Sequence, residues 1–214
     1  MRVAIMQPYL FPYGGYWRLL TQADVFVILD CVQFPRRGRV HRVEIAPGRW
    51  LGFPLMKAPQ TTLIREMRLS AQAPQLMSER LAHLPFTRAT DTPLRRQALS
   101  LLQSAEGALV DVLESSIRLI AAAIEAKAEI LRSSTLLYEP SLRGQKRLIA
   151  ISKRLGATHY LNSPGGRALY NPRDFRDNGL TLEFLPDYAG GLRWFLQSIF
   201  EMPVEEIAAD IGRS

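Results

Sequence analysis

A single cysteine, Cys31, is all the thiol chemistry this 214-residue chain has. That excludes an internal disulfide and a metal site built from several cysteines, and it fits a reducing compartment. Cys31 follows Asp30, whose carboxylate disfavours a thiolate next to it, so a small buried filler is expected there rather than a nucleophile. The three histidines, His41, His83 and His159, are scattered, and no pair of carboxylates stands at ligand spacing, so no resident metal is expected. No apolar run is long enough to cross a bilayer, and Met1-Arg-Val-Ala-Ile5 already reads as fold rather than as a signal peptide. The expectation is a cytoplasmic protein with no membrane insertion. Also missing are the Gly-Lys-Ser/Thr ending of a Walker A loop and any helix-turn-helix or zinc-finger pattern.

What is present is apolar substance and positive charge. With 47% hydrophobic residues the chain can bury one substantial core, and nothing in it requires two independent domains. The formal net charge of +7 points to an acidic partner, and its distribution says more than its total. Arg36, Arg37, Arg39, Arg42 and Arg49 crowd one segment; Arg143, Lys146, Arg147, Lys153 and Arg154 crowd another. Arginine's planar fork suits phosphate oxygens, so a phosphorylated ligand or a nucleic-acid backbone stands beside a simple solvated surface as a reading of both zones.

Val3-Ala-Ile-Met6 is a short apolar run without strict alternation, as expected of a strand covered on both faces. Gln7-Pro8 ends it, and Tyr9 to Gly15 is rich in aromatics, prolines and glycines. This is irregular backbone at the carboxyl end of a first strand, where open α/β sheets bind ligands. Gln7 either presents its amide to a substrate there or only closes the strand. Residues 16–23 fit a short helix, and Val25-Phe-Val-Ile-Leu29 a second buried strand ending at Asp30. If the two strands are parallel, Gln7, Asp30 and Gln33 share one edge of the sheet. The expected fold is α/β and Rossmann-like: a mostly parallel sheet with flanking helices, in one domain, with a basic, β-rich insertion at about 34–69. Within that insertion, strand-like pieces are expected at 41–45, 50–56 and 62–69.

Prolines punctuate residues 71–92 without fixing boundaries. Residues 94–127 are largely helical in pattern, with Leu109, Val112, Leu113, Ile117, Ile120 and Ile124 on one face, a stripe that reads as core packing. Glu129-Ile-Leu131 is a strand candidate, followed by Ser133, Ser134 and Thr135. Arg147 to Leu155 make an amphipathic helix stopped by Gly156. Thr158-His-Tyr-Leu161 is a strand running into Asn162-Ser-Pro-Gly-Gly166, a loop that either brings backbone N–H groups close to an anion or is only a tight turn. Thr181-Leu-Glu-Phe-Leu185 is a last strand, and residues 194–211 a helical region interrupted at Pro203.

Several of these segments together resemble one family. Met6-Gln-Pro-Tyr-Leu-Phe-Pro-Tyr-Gly-Gly-Tyr16 is similar to the His-Gln-Pro-x-Tyr-Leu-Pro-Trp-x-Gly-Tyr opening of WbqC-like proteins, and Ala23-Asp-Val-Phe-Val-Ile-Leu-Asp-Cys-Val-Gln33 to their Ala-Asp-x-Phe-Val-x-Leu-Asp-x-Val-Gln segment. Arg147-Leu-Ile149, Leu155-Gly-Ala157 and Tyr160-Leu-Asn-Ser-Pro-Gly-Gly166 resemble the family's later Leu-Gly-Ala-x-x-Tyr-Leu-Ser-Gly-Pro-Gly-Gly region. Two departures stand out: Met6 replaces the usual histidine, and His41-Arg42-Val43 replaces Asn-Arg-Asn, which leaves only Arg42 matched.

The resemblance implies transfer chemistry on phosphate-bearing substrates. Members occur in surface-polysaccharide gene clusters, and similar proteins are associated with phage DNA hypermodification, in which an amino acid is joined through its amine to an activated pyrimidine. Such a reaction needs a base to keep the amine neutral, cations to stabilise departing phosphate, and a site that positions both partners. The resemblance then implies Asp30 as base or amine-binding group, Arg42 and Arg37 as phosphate clamps, and Gln7, Pro8, Tyr9, Gln33, Asn162, Ser163, Gly165 and Gly166 as substrate-positioning residues. The implied partners are an amino acid, glycine favoured, and either DNA or a nucleotide-linked sugar. No cofactor is expected beyond a divalent cation arriving with a pyrophosphate substrate. A non-catalytic nucleic-acid-binding module is the reading from outside the enzyme class.

Overall fold

A computed structural model describes residues 1–213. Five short strands make one parallel sheet: β1 (Arg2–Met6), β2 (Val25–Ile28), β5 (Glu129–Arg132), β6 (His159–Asn162) and β7 (Thr181–Phe184). Their spatial order is β5-β2-β1-β6-β7. The chain moves outward from β1 to β2 and β5, then returns to the other side of β1 for β6 and β7. The point of reversal, between β1 and β6, opens at the carboxyl ends of the strands, where doubly wound sheets bind ligands.

The apolar runs behave as a doubly covered sheet requires. Ala4, Phe26, Ile28 and Leu161 point into one core cluster, while Val3, Ile5, Val25, Val27 and Tyr160 point into the other. Both pleat faces are buried at the centre of the sheet, so Val3 to Met6 and Val25 to Ile28 are apolar without polar alternation, while the outer strands β5 and β7 carry charged residues. The first, larger cluster is covered by α1 (Gly14–Gln22), through Tyr16, Trp17, Leu19 and Leu20, and by α4 (Leu109–Ala123), through Leu109, Val112, Leu113, Ile117 and Ile120. Ile124, the sixth residue of the predicted stripe, follows the helix and joins the same core. The second cluster is covered by α5 (Gly144–Arg154) and α6 (Pro172–Arg176).

The basic insertion is a two-stranded antiparallel hairpin, β3 (Arg42–Ala46) and β4 (Arg49–Gly52), turned at Gly48 with φ +70°. Val43, Ile45 and Leu51 bury its inner face. The strand expected at 62–69 is instead a single 3₁₀ turn, Ile64–Glu66, flanked by isolated bridges between Gln33 and Leu63 and between Leu55 and Leu69. Local β propensity there lacked a continuous partner strand. Residues 94–127, largely helical in pattern, hold two helices, α3 (Pro93–Gln103) and α4, separated at Gly107 with φ +75°. The mixed stretch before them holds α2 (Ala73–Ala82) and a 3₁₀ turn at Pro85–Arg88. The chain closes with α7 (Phe195–Glu201) and α8 (Val204–Ile211), which meet at Pro203.

Candidate functional site

The register of β2 against β5 pairs Ile28 with Arg132, so the residues just beyond them, Asp30 and Ser133, emerge side by side. Asp30 is fully buried. Its carboxylate accepts the Ser133 hydroxyl at 2.7 Å, the Ser134 N–H at 2.9 Å and the Ser134 hydroxyl at 2.5 Å. These donors compensate the buried charge and tie the two strand ends together. They also fix the 3₁₀ turn Ser133–Thr135, which forms one wall of a cavity of about 740 Å³.

The opposite wall is the start of α5. Gly144 and Arg147 line the cavity together with Arg143 and, from the insertion, Arg65. The first turn of α5 contains no acidic residue, so the positive end of its dipole is uncompensated. Arg147 is buried, held by donation from Nε to the Leu142 carbonyl at 2.8 Å and from Nη1 to the Cys31 carbonyl at 3.0 Å. Arg65 is exposed on the rim. Arg143 Nη1 donates to the Pro140 and Leu142 carbonyls at 2.6 and 2.9 Å and Arg65 lies 3.9 Å from Glu66, so it is the remaining N–H groups of three guanidiniums, with a helix N-terminus, that line one cavity and suit an oxyanion.

Gln33 lines the same cavity, and its amide donates to the Gln60 carbonyl at 2.8 Å. Cys31 lines it too, half-buried, which corrects the expectation of a buried filler. The Tyr138 hydroxyl donates to Cys31 Sγ at 2.7 Å. Burial, and then the Cys31 sulfur, push this phenol up to about 12, against the pull of Arg147. Ser133 lies 3.1 Å from the same sulfur, but its one proton serves the Asp30 carboxylate, so the contact is made through its oxygen.

The other predicted residues form two further groups. Gln7, Pro8 and Tyr9 lie beyond β1, and Asn162 ends β6, at the reversal point of the sheet. The Gln7 carbonyl accepts from the Tyr16 hydroxyl at 3.0 Å, Pro8 is buried, and the Tyr9 ring lies 5.6 Å from that of Tyr16. Burial pushes the Tyr9 phenol up, and Arg39 draws it partly back. Asn162 is buried and accepts the Ser163 N–H at 2.8 Å; the residues that follow form a 3₁₀ turn, Pro164–Leu169. A Cβ on Gly166 would stand 2.5 Å from Asn162 Nδ2, whereas Gly165 faces open space. Close packing on Asn162 is therefore what requires glycine at 166.

Arg37 and Arg42 belong to the insertion. Arg42 donates to the carbonyls of Gly38 at 3.1 Å and Arg37 at 2.5 Å and lies 4.4 Å over the Trp50 ring, so its fork already organises its own loop. Arg37 is exposed. Beside them, burial and then the Arg42 charge hold the His41 imidazole below its usual value. No group of three histidine, cysteine or acidic side chains that could hold a metal occurs among the described residues. Nor does any helix have the length and apolar character to cross a membrane.

Residues that sequence reasoning left without a role are Ser133, Ser134, Tyr138 and Arg65. A polar run directly after a parallel strand was the available signal for the two serines. Arg65 and Tyr138 reach the cavity from segments with no regular pattern of their own.

The architecture is that of a doubly wound, Rossmann-like α/β protein with an arginine-lined cavity on the carboxyl edge of its sheet. Residues 7–190 match the WbqC-like protein family, so the chain belongs to that family. No curated protein and no solved structure matches the chain.

Proposed function

We propose that the protein is a transferase that holds a phosphate-bearing substrate in the cavity between the ends of β2 and β5. The observation that carries this reading is the convergence of Arg65, Arg143, Arg147 and the N-terminus of α5 on one concave site. In its specific form the reaction joins an amino acid, glycine first, through its amine to a pyrimidine in DNA whose exocyclic methylene carries pyrophosphate. A C–N bond forms, the C–O bond to pyrophosphate breaks, and the proton lost by the amine is taken up by the departing pyrophosphate. The arginines stabilise the charge that gathers on the departing pyrophosphate, which is where preorganised cations act most strongly. Gln33 orients the pyrimidine side of the cavity, and Asp30 holds Ser133 and Ser134 in place. A divalent cation belongs, in this reading, to the pyrophosphate as part of the substrate. The exposed Arg36, Arg37 and Arg49 of the insertion support a polyanionic acceptor.

A second reading is supported by the cavity's size. A volume of about 740 Å³ suits a small-molecule site, so a nucleotide-linked sugar could place its diphosphate on the same arginines. The deciding experiment incubates the protein with glycine and DNA bearing pyrophosphorylated hydroxymethyluracil, followed by digestion and nucleoside mass spectrometry. A glycine-mass adduct that falls by about 10–100-fold in Arg65→Ala or Arg143→Ala is expected. No adduct, with substrate verified by an active control enzyme, overturns the DNA-directed form. A parallel incubation with nucleoside-diphosphate sugars then reads the second.

A further inference from the structure

Away from the cavity just described, a cleft of about 490 Å³ lies between the β3–β4 hairpin and the segment that enters α7. Its lining combines Tyr13, Trp194, Arg39, Arg193 and Glu44. Tyr13 and Trp194 are 37% and 38% exposed, and they are two of only six large hydrophobic side chains so displayed among the described residues. Two exposed aromatics sharing one cleft with two arginines is the composition of a surface that stacks bases and follows a phosphate backbone. We propose that this cleft binds single-stranded nucleic acid, with Trp194 and Tyr13 stacking on unpaired bases and Arg193 and Arg39 contacting phosphates.

The cleft is built in advance of any ligand. The Gly14 N–H donates to the Leu192 carbonyl at 2.8 Å, joining the loop that carries Tyr13 to the segment that carries Arg193 and Trp194. Trp17 Nε1 donates to the Pro12 carbonyl at 2.9 Å, and Tyr13 packs edge-on to Tyr188, with centroids 6.1 Å apart. On the hairpin side, the guanidinium of Arg39 lies 5.1 Å over the Trp50 ring. Rigid aromatics cost little entropy on binding, which favours such a platform over flexible side chains.

Two arginines and one carboxylate line the cleft. Among the described residues Glu44 is the one carboxylate lining it, and that group is shared between Arg39 at 3.5 Å and the Gly48 N–H at 3.1 Å. Arg193 is exposed without an ion pair among the described residues, and Arg37 and Arg49 continue the positive field across the insertion. A duplex hides its base faces, so the stacking half of the site selects single strands. The proposal bears on the DNA-directed reaction but does not rest on it, because binding is measured without transfer.

The test is fluorescence anisotropy of fluorescein-labelled ten-nucleotide thymidine and adenosine oligomers with the full chain, across a salt series. Saturable binding is expected, with a log–log salt slope near −1.4 for two phosphate contacts, on the order of −0.7 for each. Trp194→Ala should weaken binding about tenfold while Trp194→Phe restores most of it. Arg193→Ala should flatten the slope by about 0.7. Tyr13→Ala provides an independent stacking variant should Trp194→Ala fail to fold, as judged by circular dichroism. Absence of binding overturns the proposal. So does binding that heparin or a duplex of the same sequence competes equally well and that neither aromatic substitution weakens, since that pattern is charge alone. A failed transfer assay with intact oligomer binding would count against the reaction and not against this surface.

Discussion

Ser134 meets Asp30 with two donors at once, its N–H at 2.9 Å and its hydroxyl at 2.5 Å, across a separation of 104 residues. This pair closes the end of the β2–β5 edge and sets the wall of the arginine-lined cavity.

Asp30→Asn should therefore lower stability by about 2–4 kcal/mol in urea denaturation, because an amide replaces a carboxylate that receives three hydrogen bonds in a buried site. A variant of unchanged stability that loses only the transfer reaction would instead make Asp30 the base.

Cys31, half-buried on the cavity wall, should react with a thiol reagent in the native protein to one equivalent per chain. Inorganic pyrophosphate bound at Arg65, Arg143 and Arg147 should slow that reaction several-fold, in proportion to its occupancy. A rate unmoved by saturating pyrophosphate would place the anion elsewhere.

Gly165 and Gly166 offer a paired contrast. Gly166→Ala drives a Cβ to 2.5 Å from Asn162 Nδ2 and to 3.1 Å from the Tyr170 ring, and should cost about 1–3 kcal/mol. Gly165→Ala meets nothing within 4 Å and should lie within about 0.5 kcal/mol of the parent. Thermal melts of the two variants check both values.

The carboxylate of Asp210, in α8, caps the loop before α7, accepting the Tyr188 hydroxyl and the Gly191 N–H. Burial pushes this carboxyl up, but the hydrogen bonds from Gly191, Tyr188 and Leu192 together outweigh it and hold the group below its usual value. A depressed folded-state pKa stabilises the fold above the unfolded carboxyl range, near pH 4, and that contribution is lost as pH falls through the folded value. Asp210→Asn should lower stability at pH 7, and the gap to the parent should narrow steadily in melts taken below pH 4.

Much of this architecture was legible along the chain because its causes are local. Val3 to Met6 and Val25 to Ile28 are apolar at every position, a signature of burial on both faces, and Gln7-Pro8 marks where β1 ends. Gly156, at φ +70°, ends the helical segment where a glycine stop was expected. The stripe of Leu109, Val112, Leu113, Ile117 and Ile120 on α4 names that helix's buried face. A boundary failed where a partner was needed: 62–69 has strand-forming residues but only isolated bridges.

The candidate site divides along the same line. Gln7, Asp30 and Gln33 could be placed on one edge from sequence on the condition that their strands are parallel, and Asn162 at the end of a further strand; the parallel pairing itself is set by the structure. Which of them are neighbours depends on the strand order β5-β2-β1-β6-β7, and no local pattern encodes that order. The order puts Ser133 and Ser134 beside Asp30 and brings the start of α5, with Arg143 and Arg147, to the same cavity. It leaves Gln7 and Asn162 at the reversal point, one strand away, and the insertion's own backbone engages Arg42. Amino-acid sequence determined which residues are strand, helix and edge, through periodicity, proline and glycine. Tertiary structure alone decided which side chains share a cavity, because pairing between strands is won by long-range burial and backbone hydrogen bonding across the whole core.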